Sequence, residues 1–255
     1  MLVDLHVHTS RYSPCSPATP QEMVESALAR GLNGLVITEH DYLWGEAELA
    51  ELQSCYPGIK LFRGMEVSIT LDEHMLVIGV SDPTPFKLCM SAHRLREAVR
   101  EQGGVCILAH PCRWAETVHP DILAAGFDAV EGYSINVSNY MRGAVDQLAR
   151  MKKVPIVANT DSHVPDTLGL YGIRLDNFAA TEQELARAIR LGQFRIFGHK
   201  GRLDERNREQ LSKLEHYQSL KTRRLSTEEA MNRAGLSLWQ KYGVKRGLDI
   251  GLAIP

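Results

Sequence analysis

The first 199 residues alternate short apolar runs with amphipathic stretches of helical period. Seven of the runs are candidate strands: residues 2–7, 34–38, 61–67, 75–80, 104–109, 127–132 and 154–158. Several runs are apolar almost throughout, which is typical of strands covered on both faces of a parallel sheet. Seven such runs separated by helices favour a parallel α/β barrel over an open sheet.

Helix start and stop signals fall between these runs. Thr19 and Glu22 form a capping-box pattern with Pro20 at the first helical position, and the helix they open is expected to stop at Gly31. The same reasoning predicts further helices at residues 46–54, 91–102, 139–152 and 181–191. Helices therefore separate several of the predicted strands.

The sequence changes character after residue 199, where a charged, arginine-rich stretch begins. Ser226 and Glu229 form another capping-box pattern ahead of a helical stretch at 231–242. We interpret residues 200–255 as a helical, basic C-terminal appendage to a barrel formed by residues 1–199. A packing arm or an oligomerisation element is favoured over a nucleic-acid or regulatory role, because charged helices most often serve that purpose.

Composition excludes several classes of protein. Hydrophobic residues make up 44% and charged residues 24% of the 255 residues, so the chain can bury a core without disulfides. The five cysteines are odd in number and form no CxxC pair, which argues against a secreted disulfide framework and against a zinc ribbon. No apolar run is long enough to cross a membrane, and Asp4 comes too early for a signal peptide, so we expect a cytoplasmic protein.

The net charge of −2 hides an asymmetry between the two parts of the chain. Residues 1–199 carry 17 Lys and Arg against 24 Asp and Glu, whereas residues 200–255 carry 12 against 7. A net acidic body is not typical of a protein that binds nucleic acid non-specifically, although bound cations can reverse the local field at a site. Charge alone therefore leaves the substrate open, and a nucleic acid stays possible.

Histidines and acidic residues recur at the C-terminal ends of the predicted strands, the end of a parallel barrel at which active sites form. The first strand ends in His6 and His8, which point to the same side because side chains alternate along a strand, and which can therefore chelate one ion. The other strand ends carry His40, Glu66, His110, Asp161 and His163. Since chance would not place metal-ligating groups at five strand ends, the sequence predicts a metal centre.

This ordered set of motifs resembles the PHP (polymerase and histidinol phosphatase) family over roughly residues 1–199. The resemblance implies a distorted barrel of seven βα units whose strand ends hold two or three divalent metal ions. It also implies hydrolysis of phosphate esters. The appendage at 200–255 has no counterpart in that resemblance.

The resemblance further implies individual ligands. The first ion would be held by His6, His8 and Asp161. Glu66 would bridge this ion to a second one, which His110 and His74 would complete. His74 precedes an apolar run instead of following one, so only the family pattern recommends it.

A third ion in this family is held by the positions of His40 and His163 together with an Asp or His shortly after the first motif. Residues 10–15 read SRYSPC and contain neither. Either Cys15 supplies a thiolate, which would favour a soft metal such as zinc, or the third site is weak or empty. We slightly favour Cys15 as an ordinary loop residue.

Mixed imidazole and carboxylate donors suit Zn, Mn or Fe, and bridged ions can activate a hydroxide nucleophile while they clamp ester oxygens. The preferred interpretation is therefore a phosphoesterase that acts on a small phosphomonoester or on a nucleotide or oligonucleotide phosphodiester. A histidinol-phosphate phosphatase and a metal-dependent amidohydrolase are alternatives. A non-catalytic, metal-stabilised binding module is the alternative from outside the enzymes.

Two further residues are candidates for catalysis. Asp41 follows His40 and is expected to orient a ligand or to handle a proton, the former being favoured. Arg113, three residues after His110, is placed to donate two hydrogen bonds to a substrate phosphate. Residues with weaker hypotheses, as pocket lining, ligand support or cover for a base, are Glu131, Asn136, Asn159 and Trp44.

Overall fold

The computed structural model describes residues 1–113, 117–221 and 225–255. Its centre is a nine-stranded mixed sheet that curls into a nearly closed barrel. The strands are β1 (Leu2–Val7), β2 (Gly34–His40), β3 (Lys60–Ile69), β4 (Glu73–Ile78), β5 (Val105–Leu108), β6 (Ala129–Tyr133), β7 (Ile156–Ala158), β8 (Tyr171–Leu175) and β9 (Phe194–Gly198). Their order across the sheet is β7-β6-β5-β4-β3-β2-β1-β8-β9.

All seven predicted strands are present, and the prediction of a barrel is confirmed. The expectation of a wholly parallel barrel is wrong, because β4 runs antiparallel to β3 and β5, and β8 runs antiparallel to β1 and β9. Sequence reasoning also missed β8 and β9. Arg174 and Arg195 interrupt these two short runs and hide their apolar character.

Helices of the barrel occupy the predicted positions. They are α1 (Pro20–Ala29), α2 (Glu46–Cys55), α3 (Ala92–Glu101), α4 (Pro120–Ala125), α5 (Asn139–Lys152) and α6 (Glu182–Arg190), of which α4 was not predicted. The capping box at the start of α1 is confirmed: Thr19 accepts from the backbone of Glu22, and the Glu22 side chain accepts from the backbone of Thr19. Gly31, with a φ of 77°, ends this turn in the left-handed region that favours glycine.

The segment that follows β7 completes the barrel beside the end of β1. Ser162 exchanges backbone hydrogen bonds with this strand, donating to His6 O at 3.1 Å and accepting from His8 N at 2.9 Å. Deeper in the barrel, the buried carboxylate of Asp4 accepts from Thr160 N at 2.9 Å and from Thr160 Oγ1 at 2.6 Å. These contacts bring the chain after β7 against the motif that ends β1.

The C-terminal residues are helical, as predicted, and form α7 (Lys200–Lys221), α8 (Thr227–Arg233) and α9 (Leu238–Lys245). The single helix expected at 231–242 is instead divided between α8 and α9 by a turn that contains Gly235, whose φ is 70°. Tyr171 of the barrel donates to Ala253 O at 2.6 Å and packs in one buried cluster with Leu203 and Leu252. The division of the chain at residue 199 stays a prediction.

Among the described residues, no helix combines the length and the apolar character that crossing a membrane requires.

Candidate metal centre

Strands and the loops after them deliver the predicted ligands to one end of the barrel. These residues are His6 and His8 around the end of β1, His40 at the end of β2, Glu66 in β3, His74 in β4, His110 after β5, and Asp161 and His163 after β7. The parallel register of β2 and β3 pairs His40 directly with Glu66. Because β4 is antiparallel to β3, its first residues lie at the same end as the last residues of β3, and His74 pairs with Ser68.

The carboxylate of Glu66 is the hub of the cluster. Oε2 lies 3.2 Å from His6 Nε2, 3.1 Å from His8 Nε2 and 3.1 Å from His40 Nδ1. Oε1 lies 2.7 Å from His74 Nδ1 and 3.0 Å from His110 Nε2. One buried carboxylate therefore contacts five imidazoles through two differently directed oxygens.

Asp161 is the second carboxylate of the cluster. Its Oδ1 lies 3.2 Å from His6 Nε2 and 3.4 Å from His8 Nε2, and Asn136 donates to its Oδ2. Asp161 and His110 have φ angles of 53° and 25°, positive values that residues other than glycine seldom adopt. Such conformations persist where the surrounding structure enforces them, often at functional sites.

Three groups of side chains offer ligand atoms that all lie within 4.8 Å of one another. They are His6, His8, Glu66 and Asp161; His8, His40 and His163; and His40, Glu66 and His74. The first group contains the ligands expected for the first ion together with the expected bridge. In the other two groups the members differ from the family pattern, so the assignment of single ligands to single ions stays a prediction.

Hydrogen bonds orient the buried imidazoles. His6 Nδ1 lies 3.1 Å from Glu131 Oε2, and since a carboxylate accepts, Nδ1 donates and Nε2 is the ring nitrogen that faces the cluster. His8 Nδ1 lies 3.3 Å from Ser13 Oγ, which also accepts from the backbone nitrogen of His40 at 3.1 Å. Both Nε2 atoms are thereby directed at the carboxylates.

The inner atoms of the cluster fit a cation. His6 Nε2, His8 Nε2 and Asp161 Oδ1 are buried and, within the described part of the chain, have no hydrogen-bond partner of acceptable geometry. Buried polar atoms are otherwise almost always paired, so a group of them facing one another calls for an explanation such as an ion. Imidazole nitrogens and carboxylate oxygens are ligands of divalent transition metals.

The electrostatics of the cluster point the same way. Burial alone would lower the pKa of His6, but the carboxylates of Asp161 and Glu66 raise it well above its ordinary value. Burial alone would raise the pKa of Glu66, but His6 and His110 hold it well below its usual range. Both shifts arise because the buried carboxylates and the imidazoles stabilise each other's charged forms.

Cys15 is exposed and belongs to none of the three groups found among the described residues. Partial burial and the nearby negative charge of Glu66 and Asp161 raise the pKa of its thiol. A raised pKa disfavours the thiolate that metal ligation needs. In the same loop, Ser13 contacts His8 and the backbone of His40, and Ser16 donates to the carbonyl oxygens of His8 and His163; no sequence pattern predicted these contacts.

Asp41 and Arg113, the two predicted catalytic residues, have different neighbours. Both carboxylate oxygens of Asp41 accept from Ser68, at 2.8 Å from its nitrogen and 2.7 Å from its hydroxyl, which fastens the end of β2 to β3 just beyond Glu66. The charge of Arg113 acts on Glu73, where burial outweighs it and raises the pKa to about 6. Arg113 is therefore near Glu73, the first residue of β4.

The four residues with weaker hypotheses differ in what they contact. Glu131 contacts His6 and Asn136 contacts Asp161, so both support predicted ligands. Asn159 is fully buried, and neither of its side-chain polar atoms has a partner among the described residues. The suggestion that Trp44 covers a base is wrong, because Trp44 is 3% exposed and donates its Nε1 to Glu39 at 3.2 Å.

A barrel with a buried histidine and carboxylate cluster at its strand ends defines a metal-binding α/β-barrel protein. The family model described as PHP domain matches residues 4–189. The chain therefore belongs to the PHP domain family, a family of metal-dependent phosphoesterases.

Similar proteins include two curated relatives and a solved structure. An error-prone DNA polymerase of Cutibacterium acnes is 31% identical over 152 residues, which are 56% of this chain and 12% of the polymerase. A 3′,5′-nucleoside bisphosphate phosphatase of Chromobacterium violaceum is 34% identical over 102 residues, 39% of this chain and 35% of the phosphatase. This chain thus spans only a minor part of either relative.

The fold is also similar to that of a two-domain protein from Bacteroides vulgatus that contains a predicted PHP-like metal-dependent phosphoesterase. The TM-score is 0.63 at 19% sequence identity, over 78% of this chain and 65% of that one. At this identity the likeness concerns the fold alone.

Proposed function

We propose that this protein is a metal-dependent phosphoesterase that hydrolyses a small phosphomonoester or a phosphodiester of a nucleotide or oligonucleotide. The observation that carries the proposal is the Glu66 carboxylate, whose two oxygens contact five imidazoles at 2.7 to 3.2 Å. A carboxylate in that position is suited to bridging two cations. Phosphate-ester hydrolysis depends mainly on neutralising the charge of the phosphate oxygens, which such a pair provides.

The inner ligand group would hold the first ion: His6, His8, Glu66 and Asp161. The remaining histidines would offer ligands to one or two more ions: His40, His74, His110 and His163. Zn, Mn and Fe all suit this mixture of donors. When bound, such ions supply Lewis-acid stabilisation of the ester oxygens and lower the pKa of a water nucleophile.

The side chains of this protein have their own tasks in that reaction. Glu131 keeps His6 in the tautomer whose Nε2 faces the cluster, and Ser13 does the same for His8. Asp41 positions the strand ends that carry His40 and Glu66 by its two hydrogen bonds to Ser68. A guanidinium matches two phosphate oxygens at once, so Arg113 is the candidate for orienting the substrate.

Phosphorylated substrates, nucleotides among them, are supported by the relatives. One relative is named as a phosphatase of 3′,5′-nucleoside bisphosphates and another as a DNA polymerase. Because this chain spans a minor part of both, their activities suggest a substrate class and not a particular compound. A histidinol phosphate remains within that class.

The test is metal analysis combined with hydrolysis of an aryl phosphomonoester and an aryl phosphodiester. It compares the wild type with Asp161→Ala and with His216→Ala, whose imidazole is exposed on α7 and serves as the matched control. We expect bound transition metal and hydrolysis in the wild type and in His216→Ala. Asp161→Ala should lose both.

Other outcomes point to the competing functions. Metal that binds without any hydrolysis after reconstitution with Mn or Zn would favour a metal-stabilised binding module. Hydrolysis of amides but not of phosphate esters would favour an amidohydrolase. A protein that takes up no metal at all would contradict the proposal at its base.

A further inference from the structure

Two tyrosines stack against each other in the loops that follow β1 and β2. The rings of Tyr12 and Tyr42 have centroids 3.8 Å apart and planes inclined by 26°. Tyr42 is nevertheless 40% exposed, which makes it one of the large exposed hydrophobic side chains of the described structure. Since Tyr12 covers one face of the Tyr42 ring, the exposed area lies on the opposite face and the edge.

Neighbouring side chains hold Tyr12 in place. The Tyr12 hydroxyl donates to Glu48, whose Oε1 and Oε2 lie at 2.8 and 3.0 Å. The rings of Trp44 and Tyr12 form a T-shaped pair with centroids 5.6 Å apart. Arg11 Nε lies 3.0 Å from Glu48 Oε1 and balances its charge. Hydrogen bonding with Tyr42 and with Glu48 raises the pKa of Tyr12 to about 12, so Tyr12 stays a neutral phenol at physiological pH.

Both tyrosines come from the loops that carry candidate ligands. Tyr12 precedes Ser13, whose Oγ contacts His8 and accepts from the backbone of His40. Tyr42 is two residues from His40, which limits the separation of their Cα atoms to about 7 Å. The exposed ring therefore belongs to a residue that is close to a candidate ligand along the chain.

We propose that the outer face of Tyr42 is a stacking platform for the nucleobase of a substrate whose phosphate lies at the metal centre. This inference rests on the proposed phosphoesterase function and narrows its substrate to nucleotides, free or at the end of a chain. Every base has a π face, so a rigid aromatic ring without a hydrogen-bonding pocket selects for a base but not for a particular one. A braced ring also loses little conformational entropy on binding.

The test compares adenosine 5′-monophosphate with ribose 5-phosphate, which has the same phosphate and sugar but no base. Tyr42→Ala should raise the KM for the nucleotide by about tenfold, as expected for the loss of one base stack, and leave kcat nearly unchanged. Its KM for ribose 5-phosphate should stay within about twofold of the wild type, since no stack is lost. Tyr42→Phe keeps the ring and should behave as the wild type.

Phe178→Ala is the matched control, because Phe178 is an aromatic residue that is 67% exposed and lies between β8 and α6, away from the predicted ligands in the chain. It should change neither KM. A short single-stranded 5′-phosphorylated oligonucleotide is assayed alongside the free nucleotide. The substrate whose KM rises more in Tyr42→Ala is the one whose base stacks on Tyr42.

The outcomes separate the platform from the phosphoesterase function. Equal losses on both compounds, or no loss on the nucleotide, would overturn the platform while hydrolysis by the wild type upholds the function. If the wild type hydrolyses neither compound, the function fails, and calorimetric binding of the two compounds to wild type and Tyr42→Ala decides the platform by itself. Weaker binding of the nucleotide alone would support it, and any other result would overturn it.

Discussion

The candidate metal centre has an inner and an outer half that differ in burial. The inner group consists of side chains that are at most 3% exposed: His6, His8, Glu66 and Asp161. The rim histidines have side chains that are 22 to 31% exposed: His40, His74 and His163. The two halves share one carboxylate, Glu66, which contacts residues of both.

The two halves also differ in electrostatics. Carboxylates raise the pKa of His6 and His8 against the effect of burial, whereas burial lowers the pKa of His40 to about 4 and also lowers that of His163. His74 follows the inner pattern, because its hydrogen bond to Glu66 outweighs burial and raises its pKa. Negative charge is thus concentrated in the inner group, and water can reach the rim. We expect a lost ligand to be replaced by water at the rim but not inside.

The largest effect is expected for Glu66→Gln, which removes the charge that both halves share while it keeps the volume of the side chain. Metal binding should be lost, and kcat/KM should fall by on the order of 1000-fold or more, since the metals supply several kcal/mol of charge stabilisation. Metal analysis and the aryl phosphomonoester assay measure both. Retention of full metal content would contradict the role of Glu66 as a bridge.

Glu131→Gln tests whether the inner group depends on the partners that orient it. It keeps an oxygen near His6 Nδ1 but removes the carboxylate charge. Loss of such a partner typically costs 10- to 100-fold in metal affinity or activity, and we expect about that much here. Competition with a metal chelator gives the affinity. An affinity equal to that of the wild type would show that the tautomer of His6 is fixed without Glu131.

His163→Ala tests the rim. Because the His163 side chain is 28% exposed, water can take the place of its imidazole, and we expect a loss of activity on the order of tenfold. The inner group should still bind its ion, so metal content should fall only in part. A loss as large as that of Glu66→Gln would break the distinction between the two halves.

Cys15→Ser should have the smallest effect. The thiol is exposed and outside every ligand group of the described residues, so metal content and activity should both stay within about twofold of the wild type, as for most surface substitutions. Loss of zinc from this variant, with Ser13→Ala as the comparison within the same loop, would restore Cys15 as a ligand.

Much of the fold was predictable because its signals are local. The seven predicted runs all form strands, and five predicted helices lie between or after them, since apolar periodicity and capping residues act within a few residues. What failed were β8 and β9, which are short and carry Arg174 and Arg195. The orientation of the strands in the sheet was not predicted correctly either, because a run of apolar residues has the same pattern in both directions.

The position of His74 illustrates the limit of that reasoning for the site. In a parallel barrel a ligand should lie at the end of its strand, and His74 is the second residue of β4. The structure explains this: β4 runs antiparallel to β3, so the beginning of β4 lies at the end of the barrel where the other strands finish. The contact of His74 with Glu66 depends on that reversal.

The sequence by itself determined seven of the nine described strands and the side chains that stand at their ends, because both follow from spacing and residue type over short distances. Only the tertiary structure decided which atoms meet. Glu131 reaches His6 across 125 residues, Ser13 rather than Cys15 contacts the ligands from its loop, and Tyr42 rather than Trp44 presents an exposed ring. These outcomes depend on how the barrel closes and how its loops pack, and such long-range contacts leave no periodic signal in the chain.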